Sequence, residues 1–180
     1  MATSTRRQVL KQAGMCAVAA VAGGAAMRAV SAPAAVAAPQ GADLAPWAAE
    51  RFLSHWNCSQ ALLEAFSPTY GLDMAAAQKV STAFAGGMCT GGMCGCFTGA
   101  LMVIGLAHGK SGAPDAHVAK HTTDFLAAMQ QEFGALECSA LLGTDMATPD
   151  GVKQAADKGL FTSLCPKLVE ASVKKLQAIL

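Results

Sequence analysis

The sequence predicts an all-α protein: after a leader, a single small domain of about five to six helices with a Gly/Cys-rich loop. Apolar residues recur at spacings of three to five in several segments, and no segment alternates apolar and polar residues with period two. Apolar residues make up 53% of the chain but aromatic residues only 6%. A core of small and aliphatic side chains suits closely packed helices.

The first predicted helix can be capped by Asp43, has Pro46 in its first turn, and ends at Ser67-Pro68. Cys58 lies four residues before Leu62 on this helix, so its side chain is expected to point inward. The apolar residues that define the helix are Trp47, Phe52, Trp56, Leu62, Leu63 and Phe66, with Glu50, Arg51, Asn57 and Glu64 between them.

The second helix is predicted to begin at Asp73 and to stop at Gly86-Gly87, with an apolar side made of Met74, Ala77, Val80 and Phe84. Residues 86–96 repeat a Gly-Gly-Met-Cys unit and are too rich in glycine to form regular structure by propensity. The third helix, residues 96–107, is apolar almost all round and is therefore expected to be central.

A fourth helix is predicted to open at Pro114-Asp115 and to stop at Gly134. Cys138 begins a short helical turn that Gly143 closes. Residues 148–159 form a polar helix or an ordered loop, and Cys165-Pro166 begins the last helix.

The amino terminus resembles a twin-arginine export signal. Arg6-Arg7 is followed by an apolar residue and a lysine, then by a stretch rich in Ala, Gly and Val. We expect residues 1–37 to be a signal peptide, residues 38–45 a linker, and residues 46–180 a helical domain that contains the cysteines. The mature protein would then be periplasmic, without a membrane segment, because the apolar stretch is diluted by glycine.

The charge of the expected mature domain excludes one class of partner. The chain has thirteen basic and twelve acidic residues. The leader contains four of the basic residues and no acidic one, which leaves nine against twelve. A mildly acidic domain is not expected to bind nucleic acid.

Six of the seven cysteines lie after the leader, and several of them precede predicted helices. Free amide groups and the positive end of the helix dipole favour a thiolate, or an anionic thiolate-bound cluster, at such positions. We therefore expect helix starts to converge on one bound group, with Cys58 completing the coordination. The candidate metal ligands are Cys58, Cys89, Cys94, Cys96, Cys138 and Cys165.

An ordered set of segments resembles the family of redox-active proteins named for the cysteine pattern C_GCAxxG_C_C. The matching segments are Asn57-Cys58-Ser59-Gln60-Ala61, residues 84–88, Cys94-Gly95-Cys96 with the residues up to Leu106, residues 132–138, residues 141–145 and Cys165. The resemblance implies an all-helical domain with a redox site made of Cys58, Cys94, Cys138 and Cys165, and a related domain implies an iron–sulfur centre. Cys96 replaces the usual small residue, and Cys89 is added.

The function expected is that of an exported redox protein that binds an iron–sulfur cluster of unassigned type and transfers electrons to a partner that the sequence does not identify. Whether it is also an enzyme stays open, because no nucleophile–base or acid–base pair stands out. Covalent haem is excluded by the lack of a Cys-x-x-Cys-His motif.

Two other interpretations of the cysteines stay open. Six cysteines in an exported domain could form three disulfides. Copper(I) is the other, because Met88, Met93 and Met102 lie near Cys89, Cys94 and Cys96, and thioether with thiolate selects that ion. Either would give a helical module without an electron-transfer role.

The histidines give weaker signals. His55 lies three residues before Cys58 and could be a ligand or a proton partner. His117 and His121 are four residues apart on the surface of the fourth helix and could share a metal ion, although no acidic partner of known geometry accompanies them. His108 is expected in the preceding turn.

Overall fold

The described part of this computed structural model comprises residue 38, residues 44–110 and residues 115–180. The predicted signal peptide, the Asp43 cap and most of the linker lie outside it. None of the described helices combines the length and the apolarity that crossing a membrane would require. From Leu44 onwards the described residues belong to one compact unit.

The all-α prediction is confirmed, since the described residues contain no strand beyond one isolated bridge between Met93 and Glu137. A short 3-10 turn, Thr82–Phe84, precedes the glycine-rich loop. The α-helices are α1 (Leu44–His55), α2 (Cys58–Phe66), α3 (Met74–Ser81), α4 (Gly95–His108), α5 (Ala116–Phe133), α6 (Cys138–Leu142), α7 (Pro149–Asp157), α8 (Leu160–Ser163) and α9 (Cys165–Ile179).

Helix α4 is central, as its apolar sequence predicts. It packs against α2, α5 and α9, and α9 also covers α1. Phe97 of α4 meets Phe125 of α5 edge to face, with ring centroids 6.2 Å apart, and both side chains are fully buried. The first turn of α4, which carries two cysteines, is thereby fixed within the core.

The prediction of one continuous helix from the Asp43 cap to Ser67-Pro68 is wrong. The chain breaks at Trp56, whose φ of 58° lies in the left-handed region. Asn57 then starts a new helix, because its side-chain oxygen accepts a hydrogen bond of 3.0 Å from the amide of Gln60. Cys58 is consequently the first residue of α2 rather than a residue in the middle of a longer helix.

Other boundaries agree closely with the sequence. Asp73 and Asp115 cap α3 and α5, and Gly134 ends α5 with a φ of 79°. Val80, expected on the apolar side of the second helix, is instead 53% exposed. The four-residue helix α8 was not predicted, and its start at Gly159 depends on a φ of 66°.

Candidate metal centre

The cysteines of the core lie at the starts of four helices. Cys58 and Cys138 are the first residues of α2 and α6, Cys165 is the first residue of α9, and Cys94 precedes the first residue of α4. Cys96 is the second residue of α4. Backbone N–H groups in a first helical turn have no partner within the helix and favour negative charge. We call these five residues the cysteine centre: Cys58, Cys94, Cys96, Cys138 and Cys165.

A backbone bridge brings the start of α6 beside the start of α4. The amide of Cys94 donates a hydrogen bond of 2.9 Å to the carbonyl of Leu136. The amide of Cys138 donates one of 2.7 Å to the carbonyl of Gly92. These two bonds flank the Met93–Glu137 bridge and hold Cys94 and Cys138 next to each other.

Two glycines of α4 allow close contact with α2. A Cβ on Gly95 would lie 3.3 Å from the Cβ of Cys58 and 2.9 Å from the carbonyl oxygen of Phe84. A Cβ on Gly99 would lie 3.0 Å from the backbone of Ser59. Because neither glycine has a side chain, the α2 backbone approaches α4 closely enough to place Cys58 beside the cysteines of α4.

The cysteine sulfurs form a compact group. The Sγ atoms of Cys58, Cys94 and Cys96 all lie within 4.8 Å of one another. Cys138 is hydrogen-bonded to Cys94, and Cys165 is near enough to raise the pKa of Cys58. All five are free thiols, none more than 7% exposed.

Cys94 has the lowest pKa of the group. Hydrogen bonds from the thiols of Cys138, Cys58 and Cys96 lower its pKa well below the ordinary value, and they outweigh the opposing effect of burial. The backbone amide of Cys96 also donates to it. A thiolate therefore forms first at Cys94.

The surrounding thiols hold their protons more strongly. The hydrogen bond to Cys94, together with burial, raises the pKa values of Cys58 and Cys138. Burial is the main cause for Cys96, and burial followed by repulsion from Cys94 raises the pKa of Cys165 to about 12. A cation would have to displace these protons, as metal binding to thiols requires.

Cys89 differs from the cysteine centre in its surroundings. It is exposed and lies in the glycine-rich loop, where Cys89 and Met88 both have a φ of 57°. Met88 is 42% exposed, and Met93 and Met102 are half-buried. Of the cysteines predicted as ligands, five thus meet in the core while Cys89 lies on the loop surface.

His55 contacts a carboxylate. Its Nε2 lies 3.3 Å from Oε2 of Glu64, and its Nδ1 accepts a hydrogen bond from the amide of Asn57. Because Nδ1 accepts this hydrogen bond, the ring proton is on Nε2, from which it can be donated to Glu64. His55 therefore supports the turn before Cys58.

Glu64 is a buried ion-pair residue that its position among the polar residues of the first predicted helix does not reveal. Its side chain is 1% exposed and accepts a 2.7 Å hydrogen bond from Nε of Arg51. Gln60 and Gln78 each donate to it at 2.8 Å. The run Ala-Leu-Leu-Glu-Ala-Phe around it is the signal that could have indicated burial.

The cysteine centre fits a thiolate-bound metal group. Thiolates select soft and borderline metals such as copper(I), zinc and the iron of iron–sulfur clusters. The sulfurs already lie together in the core, and the helix starts supply the positive dipole ends that anionic thiolates need. The geometry supports metal binding by the cysteine centre.

Comparisons with known proteins give one match. Residues 56–179 match the family described as "Putative redox-active protein (C_GCAxxG_C_C)". No curated protein and no solved structure matches the chain. The matched region covers more than half of the 180 residues and includes the whole cysteine centre. The resemblance seen in the cysteine pattern is thereby confirmed, and the chain belongs to the C_GCAxxG_C_C family of redox-active proteins.

Proposed function

We propose that the protein is an exported electron-transfer protein whose iron–sulfur cluster is held by Cys58, Cys94, Cys138 and Cys165. The observation that carries this proposal is the convergence of these four cysteines, each at the start of a different helix, in one buried group. When bound, such a cluster supplies one-electron redox chemistry.

The arrangement of the thiols supports a cluster. Four thiolates and their bound iron carry net negative charge in a buried place, which is costly unless dipoles offset it. The starts of α2, α4 and α9 direct their positive ends toward the thiols that begin them. Hydrogen bonds to cluster sulfurs are a known means of tuning the potential.

Cys94 and the groups that position the other ligands have distinct roles in the site. Cys94, with its lowered pKa, is the first thiolate available to iron. The Met93–Glu137 bridge and the two glycines of α4 fix the positions of Cys138 and Cys58 relative to it. Because the ligands lie at the starts of packed helices, we expect the site to change little in shape between redox states, which would suit electron transfer.

Export by the twin-arginine route belongs to the same proposal. The motif at Arg6-Arg7 supports it, because this route carries proteins already folded in the cytoplasm, where a cofactor can be inserted. Replacing both arginines by lysine should leave the unprocessed protein in the cytoplasm. Cell fractionation tests this, and periplasmic, shortened protein in the double variant would contradict it.

The cluster is tested on mature protein purified without oxygen. We expect visible absorption with both iron and acid-labile sulfide. Cys138→Ser and Cys165→Ser should each lose them, whereas Cys96→Ser should keep them. A colourless protein whose cysteines are bridged in non-reducing peptide mapping would overturn the proposal.

Copper(I) is a second candidate, favoured by one observation. Three sulfurs, those of Cys58, Cys94 and Cys96, lie within 4.8 Å of one another. A single metal ion with metal–sulfur bonds of about 2.3 Å, as zinc makes, places its sulfurs roughly 3.8 Å apart. Slight contraction of this group would therefore hold one soft ion.

The same variants separate the two candidates. A copper site would show copper without sulfide, would be lost in Cys96→Ser, and would survive in Cys165→Ser. An iron–sulfur cluster held by the four proposed cysteines gives the opposite pattern. Comparing Cys96 with Cys165 thus assigns the ligand set as well as the metal.

A further inference from the structure

Three of the four histidines of the chain meet at the end of α4 that lies away from the cysteine centre. His108 is the last residue of α4, and His117 and His121 lie one turn apart near the start of α5. Fourteen residues of helix separate Cys94 from His108, which corresponds to about 20 Å. The group, which we call the histidine site, is therefore separate from the cysteines.

The imidazole rings are in close contact. The Nε2 atoms of His117 and His121 are 3.0 Å apart. The rings of His108 and His121 are stacked with their centroids 4.4 Å apart and their planes 8° from parallel. One nitrogen of each of the three rings can be chosen so that all three lie within 4.8 Å of one another.

Within the described part of the chain, one of the histidine nitrogens is buried without a hydrogen bond. Nε2 of His108 is buried and has no hydrogen-bond partner among the residues that the structure describes. A buried polar atom without a partner is destabilising, so such atoms in native proteins call for an explanation. A ligand shared with His117 and His121 would satisfy it.

The charged side chains beside the histidine site bond to groups other than the imidazoles. Lys120 and Asp124 flank His121 on α5 and pair with each other. The carboxylate of Asp115 caps α5 by accepting from the amide of His117.

We propose that His108, His117 and His121 bind one divalent transition-metal ion of the zinc type. Two histidines at i and i+4 on α5 supply one edge of the site, and the end of α4 supplies the third ligand. Neutral imidazole suits Zn²⁺, Cu²⁺ and Ni²⁺. Three protein nitrogens with an open fourth position is a coordination that zinc accepts, with zinc–nitrogen bonds of about 2.0–2.1 Å.

The ligand geometry needs only a small adjustment. Tetrahedral coordination at that bond length places the nitrogens roughly 3.4 Å apart. His117 is exposed and the other two rings are partly exposed, so all three can rotate about their side-chain bonds to reach it. A bound ion would also join the end of α4 to the first turns of α5.

The test uses mature protein in which alanine replaces all five residues of the cysteine centre, so that no core thiol competes, with Co²⁺ and Zn²⁺ as probes. We expect one equivalent of Co²⁺ to bind with visible d–d bands and without sulfur-to-cobalt charge transfer. Zn²⁺ should displace it and raise the melting temperature. Adding His121→Ala or His117→Ala should weaken Zn²⁺ binding roughly tenfold or more.

Two controls keep the result specific. Lys120→Ala removes an exposed neighbour on α5, and His55→Gln removes the only histidine outside the site; both should leave Zn²⁺ affinity unchanged. Full-length protein with an intact cysteine centre should bind one more equivalent of Zn²⁺ than its own His121→Ala variant binds. Equal Zn²⁺ affinity with and without His121, or cobalt spectra dominated by sulfur charge transfer in every variant, would overturn the proposal.

Discussion

Cys94 and Cys138 are joined twice, once through the backbone and once through their thiols. The amide of Cys94 donates to Leu136 and that of Cys138 donates to Gly92, so the two helix starts are held in register. The thiol of Cys138 donates a hydrogen bond to the sulfur of Cys94 and is the largest single cause of its lowered pKa. The backbone bridge thus sets the chemistry of the most acidic thiol in the centre.

This relationship predicts how the Cys94 pKa responds to substitution. In metal-free, reduced protein, Cys138→Ala should raise the pKa of Cys94, because the thiolate loses its principal donor. Cys138→Ser should raise it less, since a hydroxyl can still donate. The measurement is thiolate ultraviolet absorbance against pH, and an unchanged titration in Cys138→Ala would contradict the assignment.

Glu64→Gln should destabilise the protein. The change removes a buried carboxylate that Arg51 meets at 2.7 Å. Breaking a fully buried pair costs about 3–5 kcal/mol, and we expect about 2 kcal/mol here because Arg51 can still reach water. Urea unfolding followed by circular dichroism measures this difference, and Glu50→Gln on the exposed surface of α1 is the control.

The lowered pKa of Glu64 predicts that the free energy of unfolding depends on pH. Burial alone would raise the pKa of Glu64, but hydrogen bonds from His55, Arg51, Gln60 and Gln78 outweigh it and hold the pKa well below its usual range. A lowered folded-state pKa contributes stability that is complete above the unfolded pKa, about 4.3, and is lost as the pH falls toward the folded value. Between about pH 6 and pH 2, wild type should therefore lose more unfolding free energy than Glu64→Gln. Parallel curves for the two proteins would contradict this prediction.

Substitution of Gly99 tests the contact between α2 and α4, and substitution of Gly105 on the same helix is its control. A Cβ on Gly99 would press on Ser59 and Leu62 at 3.0 Å, whereas a Cβ on Gly105 would meet nothing within 4 Å. We expect Gly99→Ala to cost roughly 2 kcal/mol and to reduce metal retention. Gly105→Ala should stabilise the protein by up to about 1 kcal/mol, since alanine is the better helix former. Equal unfolding free energies for the two variants would contradict this account.

Asn57 should be important for the position of Cys58. Its side chain accepts from the amide of Gln60 and donates to the carbonyl of Thr82 at 3.2 Å. Asn57→Ala should cost about 1–2 kcal/mol, as expected for an N-cap. Asn57→Asp keeps the cap but not the donor, so it should cost less. A smaller loss in the alanine variant than in the aspartate variant, measured by urea unfolding, would contradict the capping role.

The sequence predicted the helices whose limits are set locally. Asp73, Asp115 and Gly134 act through the residues beside them, so the ends they mark could be predicted without knowledge of the fold. The break at Trp56 could not be predicted in this way, because tryptophan does not by itself favour the positive φ that this residue adopts. It is supported by the contacts of His55 and Asn57 with Glu64 and Thr82, residues that lie on later elements.

The sequence alone therefore determined the helical class, the family and the presence of cysteines at helix starts, because these depend on residue type and short spacing. The tertiary structure decided which cysteines meet. It placed Cys96 with Cys58 and Cys94, left Cys89 exposed on its loop, and brought His108 to His117 and His121. These groupings depend on how closely α4 approaches its neighbours, and that distance is set by packing between residues far apart in the chain.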